Sequence, residues 1–232
     1  MRRPQVKAVF FDVDFTLIYP GPTFQGDGYA RFCARYGIDV DPARFPDAVR
    51  AASSILDDVQ DHIYNPAIFE RYTRRIIEAM GGTGDRLDDV AKEVYVEWAA
   101  CQHFFLYDDV TPALRKLAAA GVKLGLISNS HRCLASFQQH FDLHGLIAGA
   151  ISSSEHGYLK PHPSIFESAL KLVGVSAAES VMVGDSLAHD VEGARSVGMR
   201  GILVQRSEET SPQDAPADVP VIRDLSELPR LL

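Results

Sequence analysis

The stretch Val9-Phe10-Phe11-Asp12-Val13-Asp14 sets the strictest limit on how this chain can fold, because an apolar run ends on two carboxylates one residue apart. An apolar run without polar alternation reads as a central strand buried on both faces, the pattern of a parallel sheet. The acids then emerge at the strand's carboxyl end, outside which open α/β sheets bind their ligands. Residues i and i+2 of a strand share a side, so Asp12 and Asp14 are expected to face one crevice. Their repulsion there calls for a cation or a shared proton. A solvated turn is the competing explanation, since Asp is common in turns. Three further polar clusters at strand ends weigh against it.

The rest of the chain falls into two rhythms. After Tyr19-Pro20-Gly21-Pro22 the sequence reads as helices only, about Gly28 to Tyr36, Pro42 to Leu56, Ala67 to Met80 and Leu87 to His103, which predicts a small bundle inserted at residues 20–107. From Thr111 helix and strand alternate, as in a parallel sheet with crossover helices. Thr111-Pro112 predicts a helix start, with Gly121 stopping it before a strand from Val122 to Ile127. A strand is expected from Leu146 to Ile151. Ser164 with Glu167 has the spacing of a capping box for a helix that ends at Gly174. Strands Ser180 to Val183 and Gly201 to Val204 flank a helix from Ala188 to Val197, and Arg206 to Pro220 reads as a loop. The expected fold class is α/β, a Rossmann-like doubly wound parallel sheet formed by residues 1–19 and 108–232.

Composition narrows the function classes. At 232 residues and 46% hydrophobic, the chain can bury a core of one domain plus an insertion. A formal net charge of -8 and the lack of a dense basic run argue against nucleic acid or an anionic membrane as a partner. Cys33, Cys101 and Cys133 are odd in number and widely spaced, which fits thiols in a reducing compartment. Met1-Arg2-Arg3 has the charge of a signal segment, but Asp12 and Asp14 interrupt the apolar run behind it, so the expected location is cytoplasmic.

The three later clusters each place polar groups at the same sheet edge. Ser128-Asn129-Ser130 follows a strand and offers hydroxyl, amide and backbone N–H donors suited to phosphate oxygens, with helix capping as the plainer explanation. Lys160, held between Leu159 and Pro161-His162-Pro163, is a candidate to neutralise a transferring phosphoryl group. Gly184-Asp185-Ser186, with Asp190 five residues after Asp185, completes an oxygen-rich pocket suited to Mg²⁺.

Together these residues resemble the haloacid dehalogenase superfamily of hydrolases, through Asp12-Val13-Asp14-Phe15-Thr16-Leu17, Ser128-Asn129, Lys160-Pro161 and Gly184-Asp185-Ser186 with Asp190. The resemblance covers about Val6 to Val204, and the helical insertion looks like the family's C1-type cap. It implies that Asp12 is a nucleophile forming an aspartyl-phosphate and Asp14 the acid and base. Ser128, the backbone around Asn129, and Lys160 would hold the phosphoryl group. Mg²⁺ would take a carboxylate oxygen from Asp12, the backbone carbonyl of Asp14 and a carboxylate oxygen from Asp185, with Asp190 in the surrounding layer, orienting Lys160. Phe15 departs from the family pattern, which most often has Gly there, and is expected to narrow the entrance or to require an unusual backbone angle.

The leading expectation is a Mg²⁺-dependent phosphatase of a small phosphorylated metabolite, a monomer or homodimer. The alternatives are a metal-independent 2-haloacid dehalogenase, or a receiver-like phosphoacceptor without turnover. Within the insertion, Arg71, Arg74 and Arg75 share a helix face that could meet a second anionic group, with pairing to Glu70 or Glu78 as the plainer outcome.

Overall fold

The structure, a computed structural model, describes residues 5–57, 61–206 and 215–232. Part of the loop expected between Arg206 and Pro220 therefore lies outside the described residues. The chain divides into two compact units, Met1–Tyr19 with Leu106–Leu232, and Pro20–Phe105.

In the first unit six strands form one sheet: β1 (Ala8–Phe11), β2 (Lys123–Ser128), β3 (Ile147–Ser152), β4 (Ser180–Gly184), β5 (Arg200–Val204) and β6 (Val221–Ile222). Their spatial order is β3-β2-β1-β4-β5-β6, and every pairing is parallel. This is the doubly wound arrangement, with the switch point between β1 and β4, where a crevice opens at the carboxyl ends. β1 lies centrally because all four of its side chains are apolar and buried. It pairs with β2 on one side and β4 on the other. The ends of those three strands carry Asp12, Ser128 and Asp185, so topology alone gathers them.

The crossover helix Pro163–Val173 shows how one face of the sheet is covered. Ile165, Phe166, Ala169, Leu170 and Val173 form a helical stripe that packs on Ala8, Phe10, Ile127 and Met182. Each large side chain so buried contributes about 1.5–3 kcal/mol relative to exposure. Gly174 ends the helix at φ 69, a left-handed angle that favours glycine, and its N–H reaches the Leu170 carbonyl at 2.9 Å.

Local starts differ from the sequence expectation in two places. The helix expected to start at Thr111 runs Val110–Ala119 with Asp109 preceding it, so Thr111 and Pro112 sit inside its first turn. The Asp109 carboxylate is engaged by Arg206 and Leu225 instead of capping. The capping box of Ser164 and Glu167 does not form. Pro163 takes the first helical position, so His162 precedes the helix and its ring accepts from the Ser164 N–H at 3.3 Å.

The second unit is helical: Gly26–Ala34, Phe45–Ala52, Ser54–Asp57, Pro66–Ala79 and Leu87–Trp98. The long helix expected from Pro42 to Leu56 is divided into a 3-10 turn and two shorter helices. Pro46 lacks the N–H that would carry the hydrogen-bond ladder from the 3-10 turn into the helix behind it. Phe24 centres an aromatic cluster, with the rings of Trp98 and Phe104 at 4.6 and 5.4 Å. Arg74 pairs with Glu78 and Asp88, and Arg75 reaches Glu78 at 4.0 Å, so the plainer reading of these two arginines holds. Among the described residues, no helix is long and apolar enough to cross a membrane.

Gly125 supplies a test of the packing on β1. A Cβ at this position would stand 2.4 Å from Cδ1 of Phe10. Gly125→Ala is expected to cost about 1–3 kcal/mol through overpacking, read as a lower urea midpoint with an unchanged slope. An unchanged midpoint would contradict this packing.

Candidate active site

Asp12 leaves the sheet at the end of β1, its N–H still donating to the Val183 carbonyl at 2.9 Å. Its carboxylate is buried and meets an equally buried ammonium: Lys160 Nζ donates to Asp12 Oδ1 at 2.6 Å, to Asp190 Oδ1 at 2.6 Å and to the Ile127 carbonyl at 2.9 Å. All three donors of Lys160 are thus engaged, as burial of an ammonium demands. Asp190 is held in turn by the Ser186 N–H, which donates to its Oδ2 at 3.0 Å. Gly184 is required here, since a Cβ on it would lie 2.2 Å from the Asp190 carboxyl.

Asp185 completes the cluster. Single ligand atoms from Asp12, Asp185 and Asp190 all lie within 4.8 Å of one another. The buried Thr16 hydroxyl donates to Asp185 Oδ1 at 3.5 Å. Ser186 caps the helical turn that follows, its hydroxyl accepting from the His189 N–H at 3.1 Å. Three carboxylates face one ammonium, and the uncompensated charge fits a hard divalent cation bound by oxygen donors alone. Asp12 and Asp185 have the oxygens for it. Both oxygens of Asp190 already accept N–H donors, which suits its expected place orienting Lys160.

Asp14 does not share the partners of Asp12. The strand ends at Phe11, so the alternation that put the two carboxylates on one side no longer governs them. Arg132 Nη2 donates to Asp14 Oδ1 at 2.8 Å, and the Arg132 side chain has no exposed surface. Between the two acids and Thr16 the chain turns tightly, with the Phe15 N–H on the Ile18 carbonyl at 2.7 Å. Phe15 adopts φ 63 and is 45% exposed. The unusual backbone angle expected at this position is therefore present, at a steric cost of about 1–2 kcal/mol.

Ser128 and Asn129 are brought to the same edge, with different duties. Ser128 is buried and its hydroxyl meets that of Ser130 at 2.9 Å. The helix after this loop begins at Leu134, so neither serine caps it. The Asn129 side chain clamps the backbone of Lys160, donating to its carbonyl at 3.0 Å and accepting its N–H at 2.7 Å.

A match to the haloacid dehalogenase-like hydrolases spans residues 6–198. The chain belongs to that family. It is 28% identical to the glyceraldehyde 3-phosphate phosphatase of Methanothermobacter thermautotrophicus, over 98% of this chain and 100% of that one. It superposes on a HAD phosphatase from Thermococcus onnurineus with TM-score 0.63 and 26% identity over 97% of each chain. The 2-haloacid dehalogenase from Pseudomonas syringae pv. tomato DC3000 gives the same TM-score, 0.63, and 26% identity over 98% of each chain. Backbone similarity thus leaves the two chemistries level, and side chains have to separate them.

Two residues of this hydrolase escaped the sequence reading. Arg132 carries no signal, because an Arg between His131 and Cys133 in a polar loop reads as solvated. Arg206 had one, its position just past β5 at the ligand-binding edge. Its Nε and Nη2 donate to the Thr16 carbonyl at 3.2 and 2.6 Å, and its Nη1 to Asp109 Oδ2 at 2.7 Å. The guanidinium lies over the Tyr107 ring, 4.2 Å from its centroid. Arg206 thereby fixes the turn that carries Asp14, Phe15 and Thr16.

Burial sets the electrostatics. It raises the pKa of Asp12, against Lys160 and with the help of Asp190. It raises that of Asp14, against Arg132. Asp185 is pushed well above the usual carboxylate range by burial and by the charges of Asp12 and Asp190. For Lys160 burial acts downward, but Asp12 and Asp190 outweigh it and the ammonium is retained.

A pH dependence follows for Asp185, which faces Asp12, Asp190, Lys160 and Thr16. The folded chain binds its proton more tightly than the unfolded chain, so its contribution to stability is full at low pH and is lost as pH rises through the raised value. In EDTA at neutral pH, Asp185→Asn is expected to unfold at higher urea than the parent protein, with an advantage that shrinks as pH falls. A parent protein more stable than the variant under those conditions would contradict this.

Proposed function

We propose that this hydrolase is a Mg²⁺-dependent phosphatase of a small phosphorylated metabolite. The observation that carries the reading is the cluster of Asp12, Asp185 and Asp190 around one buried ammonium. A phosphate dianion brings twice the charge of a 2-haloacid carboxylate to that excess of negative charge, and a cation would offset it. The residues proposed to hold the ion are Asp12, Asp185 and the backbone carbonyl of Asp14. A bound Mg²⁺ supplies charge neutralisation around the phosphoryl oxygens. The phosphatase relative supports the same choice.

The chain's own groups divide the chemistry. Asp12, its orientation set by Lys160, forms a bond to phosphorus as the bond to the leaving oxygen breaks. Asp14 gives that oxygen a proton and then removes one from the water that hydrolyses the aspartyl-phosphate. The Ser128 hydroxyl and the backbone N–H groups around Asn129 hold phosphoryl oxygens, while the Asn129 side chain keeps Lys160 in place. The helical unit of residues 20–105 is assigned to substrate selection, as a C1-type cap. The acidic, thiol-bearing chain is assigned to the cytoplasm, as a monomer or homodimer.

Phosphate release should be measured over phosphorylated sugars, nucleotides and short acids, with Mg²⁺ and with EDTA. Release is expected with Mg²⁺ only, and Asp12→Asn should reduce it to background. Mg²⁺ at about 100 times its Kd should also stabilise the fold by about 2.7 kcal/mol, and by less in Asp185→Asn. Halide release from a 2-haloacid in EDTA, without phosphate release from any ester, would overturn the reading.

A further inference from the structure

Arg132 lies in the loop after β2, yet its side chain has no exposed surface. Its neighbours differ, His131 being half-buried and Cys133 exposed. Withdrawing a guanidinium from water is costly, and a well-packed apolar side chain of similar volume would stabilise a fold at least as well. A purely structural role therefore does not account for it. The guanidinium has no exposed surface and is met by a carboxylate of the site. That carboxylate is Asp14, whose side chain keeps 18% exposure beside the buried Asp12.

We infer that Arg132 is the positioning residue for Asp14. The inference rests on the phosphatase reading above. The bond from Nη2 engages Oδ1 of Asp14, so the planar, fully packed guanidinium fixes the plane and direction of the carboxyl and leaves Oδ2 to carry the proton. As the bond from phosphorus to the leaving oxygen breaks, its electron pair stays on that oxygen and takes the proton from Asp14. Arg132 exchanges no proton itself. The loop Ser128–Arg132 thereby sets both partners of the reaction, Asp12 through Asn129 and Lys160, and Asp14 through Arg132.

The test compares an alkyl phosphate, whose leaving oxygen needs a proton, with p-nitrophenyl phosphate, whose phenolate leaves without one. In Arg132→Met, kcat/KM for the alkyl ester is expected to fall about 100-fold or more, and that for the aryl ester no more than about 3-fold. Arg132→Lys, which keeps the charge but not the fork, should recover part of the loss. In an Asp14→Asn background, Arg132→Met should cost nothing further on the alkyl ester, because both changes remove one function. Should Arg132→Met fail to fold, the lysine variant is read alone, with a loss on the alkyl ester and none on the aryl ester. Parallel losses on both esters, no loss on either, or additive losses in the double variant would overturn the role of Arg132. An unmodified protein that hydrolyses neither ester would overturn the phosphatase reading, and this inference with it.

Discussion

The buried ammonium of Lys160 is the constraint around which the first unit is arranged. An unpaired charge at that depth would cost several kcal/mol, so every donor on it has to be met, and the partners come from three separate strand ends. Asp12 follows β1, the Ile127 carbonyl belongs to β2, and Asp190 lies in the short helix Leu187–Glu192 that follows β4. Parallel pairing of β1 between β2 and β4 is what makes those positions adjacent. The charge in turn penalises any register in which they do not converge.

From that point the site divides into two charge systems. Around Lys160, Asp12, Asp185 and Asp190 carry more negative charge than the ammonium offsets, which raises Asp12 and Asp185 and suits a divalent cation. Around Arg132, Asp14 has a cation of its own. The separation gives each carboxylate a cation of its own: Lys160 favours the ionised form of Asp12, and Arg132 opposes the rise that burial imposes on Asp14. Arg206 links the two by fixing the Thr16 carbonyl, and with it the tight turn on which Asp14 and Thr16 sit.

The turn also shows strain kept beside the candidate site. Phe15 occupies a left-handed backbone angle that glycine would take without cost. Its position between Asp14 and Thr16 leaves no room to relax, since the first is held by Arg132 and the carbonyl of the second by Arg206. Strain of this kind persists where surrounding contacts over-determine a conformation.

The doubly wound sheet was legible in the sequence because apolar runs and helix stops are local, and a parallel order places their polar ends at one edge by rule. Asp12, Asp14, Ser128, Asn129, Lys160, Asp185 and Asp190 could be named as candidates for the same reason, each standing near a strand end or in the first turns of a helix. Helix starts were less legible, as Asp109 and Ser164 show, because capping groups have competing partners elsewhere in the fold. What only tertiary structure decided is which charge meets which. Asn129 turns to the backbone of Lys160, and Arg132 and Arg206, ordinary loop arginines by sequence, are withdrawn from water to hold Asp14 and Thr16. Those pairings span 31, 118 and 190 residues of chain. No local pattern encodes them, because burial of a side chain depends on what packs around it.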